Sequence, residues 1–71
     1  MTRRQIAALA YTRGFEAAQR ELLRTGAALM AGQAGQASLI VRPRWRVAFE
    51  RSYRAGVRGA QRSFAELAAA S

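Results

Sequence analysis

The chain has no cysteine, no histidine, no lysine and no aspartate, and only one proline and one tryptophan. Each absence closes a class of explanation. Without cysteine, no disulfide can staple a small fold. Without cysteine or histidine, a zinc site would have only glutamates to draw on, so no metal is expected. The usual bases, nucleophiles and Schiff-base amines are missing as well. What remains is Glu16, Glu21, Glu50 and Glu66. Glu16 precedes Arg20 by four positions and Glu50 precedes Arg54 by four, the favourable order for a helix ion pair. The carboxylates therefore read as structural, and neither catalytic residues nor a cofactor is expected. Gly32-Gln-Ala-Gly35 has none of the context of a phosphate-binding loop. No apolar run approaches the roughly 18 residues that span a bilayer.

What is present is a small, very basic chain. At 71 residues it is one small domain. A chain of this size buries only about 60% of its unfolded surface, so its own core is marginal. Tight helix packing, self-association or a partner must complete it. Twelve arginines set a net charge of +8. Guanidinium binds phosphate and carboxylate bidentately, so the expected partner is anionic: nucleic acid, an acidic protein surface or anionic lipid. Met1-Thr-Arg-Arg is a basic start, but Ile6 to Leu9 is too short for a signal-peptide core. A cytoplasmic protein is expected, or a virion-associated one if it is phage-encoded.

Alanine, leucine, arginine, glutamine and glutamate favour a helix over about residues 3–30. Thr2 is the expected N-cap, and Gly26 and Gly32 mark its end. At about 100° per residue, Ala7, Tyr11, Phe15, Ala18, Leu22 and Leu29 share one face, with Arg13, Arg20 and Arg24 opposite. Residues 31–38 are small and uncharged and read as the start of a flexible linker over about 31–42. Leu39-Ile40-Val41 is a short apolar patch that either caps the core or adds to a partner's sheet edge. Pro43 suits a first helical position, and a second helix is expected over about 43–69. Its apolar face holds Phe49, Tyr53, Val57, Ala60, Phe64 and Leu67.

The two helices share an internal repeat. Tyr11-Thr-Arg-Gly-Phe-Glu-Ala-Ala-Gln-Arg20 returns, 42 positions later, as Tyr53-Arg-Ala-Gly-Val-Arg-Gly-Ala-Gln-Arg62. Tyr11, Phe15, Ala18 and Leu22 match Tyr53, Val57, Ala60 and Phe64, a four-three-four seam. Gly14 and Gly56 lie beside it. Glycine inside a helix costs about 1 kcal/mol against alanine, so its return in equivalent slots predicts close backbone approach. The predicted fold is all-α: an antiparallel two-helix hairpin, completed by self-association or a partner. A swapped or four-helix dimer is the alternative.

Two arginine groups are candidate sites. Arg42, Arg44 and Arg46 crowd the start of the second helix, where the macrodipole is already positive, and a bound phosphate would compensate them. Trp45 among them either stacks on a base or anchors the core. Arg51, Arg54, Arg58 and Arg62 form a stripe that can follow a phosphate backbone. Nothing nearby reads base edges, so affinity without sequence specificity is expected. Ile6, Leu9 and Leu23 point away from the predicted seam and, with Leu39, Ile40 and Val41, suggest a second interface.

Ala10-Tyr-Thr-Arg-Gly-Phe-Glu-Ala17 resembles the first-helix motif of ribosome modulation factor and its small basic relatives, Ala-x-x-Arg-Gly-aromatic-x-Ala. Trp45 and Phe49 loosely resemble that family's tryptophan-containing second helix. The family's Cys-Pro-Tyr turn is absent, and the linker is longer. The resemblance implies binding to ribosomal RNA. The expected function is non-enzymatic binding of RNA, a ribonucleoprotein or DNA through arginine. The alternative is a protein-interaction module, such as a phage-type accessory, inhibitor or particle-assembly protein, that oligomerises or docks on an acidic protein surface.

Overall fold

The structure, a computed structural model, describes residues 2–25 and 33–70. It is all-α. Two long helices, α1 (Arg3–Thr25) and α3 (Arg46–Ala70), pack against each other through a folded-back linker carrying a short helix, α2 (Gln33–Ala37). The expected positions Gly26, Leu29 and Gly32 lie outside the described residues.

Each long helix starts where its sequence dictates. The Thr2 hydroxyl accepts from the Gln5 amide N–H at 3.1 Å, and the Thr2 amide donates to Gln5 Oε1 at 2.8 Å. This reciprocal capping box satisfies two N–H groups that the first turn would leave unpaired. At α3 the entry is a 3-10 turn, Pro43–Trp45, with extended Arg42 before it and Trp45 N–H donating to the Arg42 carbonyl at 2.9 Å. Proline's fixed φ suits that first position.

The predicted pairing of two long helices is present, but their expected antiparallel direction is not. The Arg3 guanidinium, at the start of α1, lies 5.8 Å from the ring centre of Trp45, at the start of α3. At the other end, Leu22 and Leu23 share a groove with Phe64 and Leu67. The helices run the same way, and the linker carries the chain back along them. A 42-residue repeat cannot itself specify direction, because either orientation can bring Tyr11–Gly14 against Tyr53–Gly56.

The repeat marks where the helices cross. A Cβ on Gly14 would overlap the Tyr53 carbonyl oxygen and lie 2.9 Å from its carbon. A Cβ on Gly56 would overlap the Tyr11 carbonyl oxygen and lie 2.9 Å from the Phe15 nitrogen. Each glycine thus touches the backbone three residues before its counterpart, the reciprocity of a pseudo-twofold pair.

This contact corrects the predicted seam. Residues four apart line α1: Ile6, Ala10, Gly14, Ala18 and Leu22 are all buried. With backbones this close, no space remains between them for a ring. Tyr11 is displaced to a flank, 40% exposed, and Phe15 is half-buried. Phe64 sits at the seam's rim, and Leu67 is 71% exposed. Phe49, Tyr53, Val57 and Ala60 are buried as expected.

The described part of the linker, from residue 33 onward, is more ordered than the expected flexible tether. Ala34 of α2 is buried, and Ser38, in a 3-10 turn over Ser38–Ile40, is buried too. The Ser38 hydroxyl donates to the Gly35 carbonyl at 2.7 Å and shares that proton with Glu50 Oε1 at 3.2 Å. Val41 packs against the core, whereas Leu39 and Ile40 face outward. The patch is split between capping and exposure.

Candidate functional site

The arginine stripe lies on α3. Arg51, Arg54, Arg58 and Arg62 are all exposed on the side away from the seam. At about 1.5 Å per residue the stripe runs about 16 Å along the helix. Glu50 Oε2 lies 3.9 Å from Arg54, a long contact on the surface that leaves the guanidinium accessible. Glu50 therefore serves two neighbours, with its other oxygen beside Ser38.

The second arginine group is only partly a surface. Arg42 and Arg44 are exposed, but Arg46 is half-buried, and its Nε is buried without a hydrogen-bond partner. Trp45 is half-buried and packs against the core. Its ring meets the Arg44 guanidinium at 4.9 Å from the centroid and Arg3 at 5.8 Å, both within cation–π range. The tryptophan thus fixes two cations at one end of the molecule. Arg3 was not among the residues predicted for this site. It lies far from Trp45 in sequence, and only the parallel packing brings the two helix starts together.

Beside Trp45 an open groove of about 440 Å³ is lined by Ile6, Leu9, Ile40, Val41, Arg42 and Arg44. It has an apolar floor and a cationic rim. Ile6 was expected on an outward second interface, yet it is only 3% exposed. In the four-spaced seam it is the next residue before Ala10, so close packing draws it inward. Leu9 is half-buried in the groove wall, and Leu23 is exposed as expected.

Among the described residues no three histidines, cysteines or acidic side chains gather as a metal site, and no helix is long and apolar enough to cross a membrane. No protein-family model, curated protein or solved structure matches the chain.

Proposed function

We propose that this is a non-enzymatic protein that binds nucleic acid through arginine–phosphate contacts, with RNA or a ribonucleoprotein ahead of DNA. The observation carrying this reading is the four exposed arginines along α3, with Arg42 and Arg44 exposed near its start. Clustered guanidiniums release counterions when they meet a polyanion, which drives sequence-independent affinity. The resemblance of residues 10–17 to the ribosome modulation factor motif supports RNA ahead of DNA.

Fluorescence anisotropy against single-stranded RNA and duplex DNA over a salt series tests the proposal. Affinity should fall steeply with salt. Replacing Arg51, Arg54, Arg58 and Arg62 by glutamine should lower the log–log slope by roughly three, since each lost contact removes about 0.7–0.9. No binding at low salt, or a salt-independent affinity, overturns it.

A second reading, a protein-interaction module of accessory or particle-assembly type, draws on exposed Leu23, Leu39, Ile40 and Leu67. It predicts association with protein that survives nuclease.

A further inference from the structure

Among the described residues, the pseudo-twofold pair is covered on one flank only. Tyr11 and Tyr53 occupy the same repeat slot and project to opposite flanks. The linker lies over the Tyr53 flank, where Ala37 and Ile40 share a cleft with Phe49 and Tyr53, and Ala37 packs against the core. Tyr53 is 6% exposed, against 40% for Tyr11. On the Tyr11 flank the Tyr11 and Phe15 rings stack, with centroids 6.3 Å apart, and Phe15 leads into a groove formed with Leu22, Leu23, Phe64 and Leu67.

We propose that this bare flank, from Tyr11 and Phe15 to Leu23, Phe64 and Leu67, is the contact through which two copies of the chain form a twofold dimer. This inference does not depend on the nucleic-acid reading.

Three observations select a second copy as the occupant. The first is area. The chain exposes 5103 Å². A compact monomer of 7.8 kDa is expected to expose about 4,400 Å². The excess is close to the roughly 800 Å² that each partner buries in a standard interface. The second is layering. A helical face normally buries itself against another layer, and among the described residues no layer lies over the groove formed by Phe15, Leu22, Leu23, Phe64 and Leu67.

The third is charge. Every residue lining the groove is uncharged: Gln19 and Ser63 are its polar members, against two arginines in the groove beside Trp45. At this end, Arg20, Arg24, Arg58 and Arg62 are nearly balanced by Glu16, Glu21 and Glu66, whereas the other eight arginines face Glu50 alone. Parallel packing creates this polarity. A polyanion or acidic protein would gain little here, but an identical neutral face can approach without arginine repulsion.

Sedimentation equilibrium on nuclease-treated protein, across a concentration series, tests the dimer. The expected mass at high concentration is twice 7.8 kDa. Leu23→Glu and Leu67→Glu, at positions 75% and 71% exposed in the single chain, should keep full helical circular dichroism. Each should weaken dimerisation at least about tenfold, because it places like charges across the twofold contact. Val47→Glu, exposed near the start of α3, should dimerise as the parent does. A parent that stays at 7.8 kDa, or folded Leu23 and Leu67 variants that dimerise unchanged, overturns the proposal.

Discussion

Gly14 and Gly59 are both buried glycines on helices of the same pair, yet they should respond oppositely to alanine. Alanine gains about 1 kcal/mol of helix propensity at either site. At Gly14 the new methyl meets the Tyr53 backbone, which cannot rotate away. Overpacking of that kind costs about 3 kcal/mol or more, so Gly14→Ala should lose about 2 kcal/mol net. Gly56→Ala should behave alike. At Gly59 the nearest group is the Tyr11 hydroxyl, the far end of a partly exposed side chain. Gly59→Ala should therefore be neutral or slightly stabilising. Urea denaturation followed by circular dichroism checks the series, and equal losses at all three positions would refute the close-approach account. Ile6→Ser, which a surface placement would tolerate, should instead cost about 2–4 kcal/mol, because Ile6 is buried beneath the Trp45 groove.

Among the elements, α2 depends most on its neighbours. Five residues are too few for a helix to persist alone in water. Burial of Ala34 and the Ser38 contact to Glu50 hold it on α3. Ser38→Ala removes that tie and should destabilise by about 1 kcal/mol, since the half-buried Glu50 can still reach water. Hydrogen exchange should show the loss concentrated in residues 33–41, with α1 and the distal half of α3 unaffected. A uniform loss along the chain would mean that the linker contributes nothing local. By contrast, α1 and α3 follow directly from composition and caps. Thr2 and Pro43 were readable as start signals because capping is local chemistry. The linker's order was not readable, since Gln-Ala-Gly-Gln-Ala has no apolar periodicity and gains its structure from contact.

At the scale of the molecule, direction is decisive. Parallel helices gather Arg3, Arg42 and Arg44 around Trp45 at one end and collect Leu22, Leu23, Phe64 and Leu67 at the other. An antiparallel pair of the same helices would have mixed the two. The arrangement predicts separable functions. The four-glutamine variant on α3 should lose polyanion affinity and keep its self-association, whereas Leu67→Glu should do the reverse. Paired anisotropy and sedimentation measurements would show this, and a variant that loses both with its helices intact would refute the separation.

By itself, the sequence determined the all-α class, the two long helices, the N-cap and the exposed arginine stripe. It also marked the repeated glycines as points of close approach. All of these rest on local propensity, on charge, or on a pattern of one helix face. The tertiary structure alone decided the direction of packing, and with it the burial of Ile6, the recruitment of Arg3 and the unequal fates of Tyr11 and Tyr53. The physical reason is the crossing itself. Once two glycines let the backbones touch, the rings must leave the seam, and which flank the returning linker covers is a property of neither helix alone.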